Sequence, residues 1–138
     1  MALSAIERRL QHVLYVDAGT CAASGMLMTF AAEPLAELTA LPAALLLYAG
    51  ASLFPIAALM AFTRARALGS LLVWLIIAGN ALWTLACLTL MVSSFVTPNA
   101  MGQLFLAAQA GTVALLTWLE LSAYSQLPSA MTRARASA

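Results

Sequence analysis

Residues 69–92 read GSLLVWLIIAGNALWTLACLTLMV, 24 consecutive positions without a charge. A helix rising 1.5 Å per residue needs about 20 apolar residues to cross the hydrocarbon core of a bilayer. The run does not alternate with period two. In lipid, a single segment satisfies its own backbone hydrogen bonds only as a helix. Three further stretches of the same kind lie around it, at residues 12–31, 42–62 and 100–123. The breaks between them carry turn chemistry or charge: residues 33–42 with Pro34 and Pro42, then Thr63-Arg64-Ala65-Arg66, then SSFVTPN at 93–99.

Composition agrees with that pattern. Of 138 residues, 64% are hydrophobic and 8% charged, with a mean hydropathy of +0.96. Soluble domains carry about 25% charge, so this chain cannot cover a water-facing surface. A soluble globule, a nucleic-acid binder and a disordered tail are all excluded. The sequence predicts an all-α integral membrane four-helix bundle, up-down-up-down, forming one domain over residues 1–138, with residues 129–138 as a frayed cytoplasmic tail.

The basic residues orient it. Arg8 and Arg9 precede the first span, Arg64 and Arg66 separate the second from the third, and Arg133 and Arg135 follow the fourth. The other two connections hold no Lys or Arg, and the first of them carries Glu33 and Glu37. The positive-inside rule then puts the arginines and both termini in the cytoplasm, the expected location being a bacterial inner membrane. A cleaved signal peptide competes for the first span, but Asp17 within it and its full 20-residue length argue against cleavage. Ser4 and Glu7 have capping-box spacing, so the first helix is expected to start in the cytoplasm and enter the membrane unbroken. Pro34, with Leu35, Leu38 and Leu41 at spacing three, suggests a short helix at the outer interface.

Polar groups inside the spans are few. Asp17 lies about five residues from the cytoplasmic entrance of the first span, followed by Thr20, Cys21, Ser24 and Gly25 on or near its face. It reads either as a proton or cation relay or ligand anchor, or as a packing hydrogen bond to a neighbouring helix. Asn80 is central in the third span, beside Gly79 and with Trp83 and Thr84 close by; interhelical glue is the leading reading and ligand binding the other. Gln109 and Glu120 stand eleven residues apart, on one face of the fourth span. Asp17 and Glu120 therefore reach the same inner-leaflet region, where His12, Arg9, Arg64 and Arg66 are also available. Tyr48, Ser52 and Pro55 share the second span, where Pro55 predicts a kink. Trp74 and Trp118 fit interfacial anchors, while Trp83 is placed deeper, in the core.

The inventory also excludes chemistry. There is no lysine, so no Schiff-base site is possible. His12 is the single histidine, and Cys21 and Cys87 lie in different spans with no C-x-x-C, so haem ligation, a histidine-rich metal site and disulfide exchange lack their residues. No phosphate-binding or dinucleotide fingerprint occurs. No cofactor and no metal are expected.

The segments Leu14-Tyr15-Val16-Asp17-Ala18, Ser24-Gly25, Leu41-Pro42-Ala43-Ala44-Leu45-Leu46 and Asn80-Ala81-Leu82-Trp83 resemble a group of small uncharacterised four-helix inner-membrane proteins of proteobacteria. That resemblance covers nearly the whole chain and implies the topology; it carries over no site. The small multidrug resistance transporters are similar in size and in having an acid in helix one. This chain lacks their Glu-containing motif, and its arginine bias differs from that of their dual-topology members. The expected function is non-enzymatic: contact between helices, as an accessory or structural subunit or a homo-oligomer. A binder or proton-coupled carrier of a small apolar or cationic compound is the alternative, with Asp17 as anchor, Asn80, Gln109 and Glu120 as polar partners, and Tyr48, Trp83 and Pro55 in the wall. The partners expected are the bilayer, a second membrane chain and a small hydrophobic ligand.

Overall fold

The computed structural model describes residues 2–66 and 71–136. These form five helices: α1 (Ala2–Phe30), α2 (Ala32–Thr39), α3 (Ala43–Arg66), α4 (Leu71–Val92) and α5 (Ala100–Ala136). Four of them are long and apolar enough to cross a membrane. In each, about a third or less of the spanning window is buried. The outward surface is instead lined by large apolar side chains such as Phe30, Leu71, Leu82 and Val92. Such a surface is stable only where the surrounding solvent is itself apolar. The chain is thus an all-helical, multi-pass membrane protein.

Several hydroxyl groups in the spans follow the same rule, although the buried Thr29 Oγ1 has no partner. Thr20, Thr63, Thr84, Thr89 and Thr117 each donate to the carbonyl four residues earlier. A hydroxyl without water thereby finds an acceptor inside its own helix.

α1 is the hub. It packs along α3 and α5, and α5 packs along α4, whereas α3 and α4 scarcely touch. The long helices form a ring in the order α3, α1, α5, α4, with a loose seam between α3 and α4 and with α1 and α4 on the diagonal. Among the long helices, α1 and α3 cross closely at Gly25 and Gly50. A Cβ on Gly50 would stand 2.7 Å from Met28 Cβ and 2.9 Å from the Thr29 nitrogen. The missing side chain is what lets the two backbones approach, as the small-residue row at Gly25 suggests.

The ends are organised differently. Toward Arg8 and Arg9 the interior is filled by Leu10, Leu14, Met60, Val73 and Ala123, all fully buried. At the opposite end, α2 lies across the bundle as the expected short helix, with Glu33 and Glu37 exposed. It stops at Ala40, which adopts the left-handed conformation (φ 55°) and donates its N–H to the Ala36 carbonyl. Asn99 ties this end together. Its amide Nδ2 donates to the Leu38 carbonyl at 2.9 Å, its backbone N–H donates to the Thr39 carbonyl at 3.1 Å, and its Oδ1 accepts the Gly102 N–H at 2.9 Å, capping α5.

Helix limits differ from the expected spans in three places. α1 extends back to Ala2, in line with an unbroken start before the membrane. α3 continues through Thr63-Arg64-Ala65-Arg66, read from sequence as a break, because protruding residues outside the hydrocarbon are free to stay helical. The connection falls at residues 67–70, outside the described residues. The segment from residue 129, expected to be frayed, continues α5 to Ala136, since Ala- and Arg-rich sequence has high helix propensity. Residues 137–138 lie outside the described residues. α3 also runs helical through Pro55.

Candidate functional site

Three helices contribute one polar side chain each to a cluster in the interior. Asp17 comes from α1, Asn80 from α4 and Glu120 from α5; their exposures are 0%, 4% and 0%. Measured along the helices, the cluster stands about 12 Å from Arg9 and about 13 Å from Leu71. It therefore lies within the hydrocarbon, in the half nearer the arginines.

One amide nitrogen joins the three. Asn80 Nδ2 donates to Asp17 Oδ2 at 2.5 Å and to Glu120 Oε2 at 3.2 Å. Its two hydrogens are both used, one toward each carboxyl group. Cys21, one turn after Asp17, directs its thiol at Asp17 Oδ1 from 3.8 Å, a weak contact. Glu120 Oε1 is buried without a hydrogen-bond partner. The side chains of Arg8, Arg9 and His12 are all exposed, away from the cluster.

The packing around the cluster is one-sided. Below it, toward the arginines, Leu10, Leu14, Met60, Val73 and Ala123 leave no exposed surface. Above it are voids. A space of about 30 Å³ touches Asn80, Cys21, Trp83 and Gln109, room for about one water. Beyond it lies an apolar cavity of about 130 Å³ against the α3–α4 seam, bordered by Met28, Leu46, Trp83, Cys87, Phe105 and Gln109. A third hollow, on the outer surface between α1 and α5, is lined by Thr20, Ser24, Phe105, Ala108, Gln109 and Thr112.

The residues picked out by sequence fall into distinct places. Asp17, Asn80 and Glu120, read as separate polar positions with a shared inner-leaflet region for the two acids, meet in one cluster. Gln109 does not join it; its Nε2 reaches only Met28 Sδ, at 4.0 Å. Trp83 is half-buried between the two inner voids. Tyr48 is 73% exposed and faces outward, away from the wall it was expected to form. Trp74 and Trp118 are exposed, and the Trp74 ring packs edge-on against Tyr124 at 5.7 Å. His12 sits on the outer surface beside Val16 and Leu116, remote from the role of counter-charge. Asn99 was not singled out from sequence. Its signal was an Asn directly before an apolar run, a preferred N-cap.

Among the described residues no group of three or more His, Cys, Asp or Glu is placed to hold a metal. The cluster can bridge three helices through the Asn80 amide, and it keeps one carboxyl oxygen, Glu120 Oε1, without a partner. Comparison with family models, curated proteins and solved structures finds no match.

Proposed function

We propose that this is a small non-enzymatic protein of a bacterial inner membrane that acts through contacts between helices, as a homo-oligomer or beside another membrane chain. Its topology in this reading is up-down-up-down, with the arginines and both termini in the cytoplasm, in keeping with the group of proteobacterial proteins it resembles. The observation that carries it is the outward hollow between α1 and α5, where Thr20, Ser24, Gln109 and Thr112 face the membrane at bilayer depth. Thr20 already donates to the Val16 carbonyl, but lipid tails offer Ser24, Gln109 and Thr112 nothing, whereas a neighbouring helix offers acceptors and close packing against Ala108. The buried cluster serves this role by holding α1, α4 and α5 in register, so that the outward face keeps one shape.

Subunit counting by photobleaching in native lipid vesicles tests the reading. Dimers or larger assemblies are expected, with a loss of association when Ala108→Leu and Thr112→Leu are combined. Monomers alone, with no crosslinked partner, overturn it. For orientation, a reporter fused after Val96 belongs on the outer face, and one found in the cytosol contradicts the topology.

A second reading, a binder or proton-coupled carrier, is favoured by one observation: the unpartnered Glu120 Oε1, fully buried in the same cluster as Asp17. Its test is pH-gradient-driven uptake of tetraphenylphosphonium into proteoliposomes. Asp17→Asn abolishes the uptake if the reading holds, and equal uptake by the variant and the wild type rejects it.

A further inference from the structure

The Asn80 amide divides the carboxyl oxygens of the cluster into two kinds. It holds Asp17 Oδ2 and Glu120 Oε2, and it has no hydrogen left for the other oxygen of either group. Asp17 Oδ1 meets the Cys21 thiol at 3.8 Å, a weak donor at long range. Glu120 Oε1 has no hydrogen-bond partner, and its residue is fully buried. Native interiors leave few such atoms, and a water or an ion is a usual partner for one.

Two further observations say what that oxygen is open to. Carboxyl groups at this depth in hydrocarbon call for a positive partner, and the exposed Arg8, Arg9 and His12 stay away from the cluster. The side of the cluster away from the arginines is also not filled. The space of about 30 Å³ there touches Asn80 and Cys21, the two residues bonded to Asp17. Its border includes Thr20, Ser24 and Gln109, which line the outer hollow between α1 and α5 as well. Polar side chains thus run from the surface of the bundle to the cluster.

The size of the guest follows from the room, which suits about one water. An organic ammonium group with its carbon skeleton does not fit. Mg²⁺ keeps several waters and Ca²⁺ takes six to eight oxygens, so neither finds its shell here. Among the described residues transition metals find no set of three His, Cys, Asp or Glu.

We propose that the cluster is a binding site for one unhydrated monovalent metal cation, Na⁺ in the first instance, held by carboxyl oxygens of Asp17 and Glu120 with Glu120 Oε1 as its first ligand. The inference rests on the binder or carrier reading, to which it adds the ion. Binding measured at equilibrium, without transport, tests it separately.

The full chain in lipid nanodiscs is incubated with radioactive Na⁺ and titrated with unlabelled NaCl. Ionic strength is held constant with N-methylglucamine chloride, a cation too large for the site. Saturable binding of one ion per chain is expected. Glu120→Gln, which keeps the shape of the side chain and removes its charge, should weaken binding about ten- to hundredfold. Mg²⁺ and Ca²⁺ should displace the label no better than N-methylglucamine does. Absence of saturable binding, or equal affinity in the folded Glu120→Gln variant, overturns the site. Displacement by Mg²⁺ or Ca²⁺ at lower concentration than Na⁺ overturns the monovalent assignment. Should the variant fail to fold, saturation and ion preference in the unmodified chain decide alone. Na⁺ binding without tetraphenylphosphonium uptake rejects the carrier and keeps the site, and uptake without Na⁺ binding does the reverse.

Discussion

Asn80 on α4 donates to Asp17 on α1 at 2.5 Å although these two helices sit diagonally across the bundle and their backbones do not approach. The bond thus spans the interior, where apolar side chains would otherwise meet. Glu120 on α5, the helix lying between them, takes the second hydrogen of the same amide. Three of the four long helices are fixed to one nitrogen.

The first expectation concerns that nitrogen. Asn80→Leu removes the only donor shared by two buried carboxyl groups and leaves acceptors with nothing to accept. Unfolding in mixed detergent micelles should show a loss of about 2 kcal/mol. Replacing all three residues by leucine should cost less than Asn80→Leu alone, because a fully apolar contact strands no polar group. A triple variant weaker than the single one would refute this account of the clamp.

At the α1–α3 crossing, Gly50→Ala places a methyl group against Met28 and the Thr29 backbone, which cannot swing aside. A loss of about 1–3 kcal/mol is expected. Gly79 and Gly111 have nothing within 4 Å of such a methyl group. Alanine at either should be neutral or slightly stabilising, through helix propensity. Equal effects at 50 and 79 in thermal unfolding would show that the close approach has no energetic weight.

Asn99 makes three hydrogen bonds that join α2 to the start of α5. Asn99→Ala should destabilise by about 1–2 kcal/mol, and hydrogen exchange should rise first at the amides of residues 100–103. Asn99→Asp retains the cap but reverses the partner at Leu38, so it should recover only part of the loss.

Ala40 holds a left-handed conformation that disfavours any side chain. Ala40→Gly relieves it and should raise stability by about 0.5–1 kcal/mol, a gain read as a higher midpoint in the same micelle titration. A lower midpoint would mean that the Ala40 methyl group makes packing contacts outweighing the backbone strain.

Much of this architecture could be read from residue order. The charge-free run at 69–92 and its three counterparts place the long helices within a few residues, since length and hydropathy are what a bilayer selects. Pro34 with its leucines announced α2, and Gly25 announced a close crossing. The spans at 42–62 and 100–123 end before α3 and α5 do, because hydropathy marks where lipid ends and not where a helix ends. Among site residues, the shared inner-leaflet depth of Asp17 and Glu120 was legible from their distance along each span to its arginine-bearing end. Tyr48 was misplaced for the converse reason: in a helix that is apolar all round, periodicity cannot say which side faces the bundle.

Residue order alone therefore dictated the solvent, the number of crossings and their approximate extents, because transfer into hydrocarbon is a property of each segment taken singly. It could not dictate which helix meets which. The ring order, the loose α3–α4 seam with its cavity, and the diagonal bond from Asn80 to Asp17 arise from side-chain packing among segments far apart in the chain. Those contacts exist only once the helices have assembled, since each depends on shapes contributed by several helices at once.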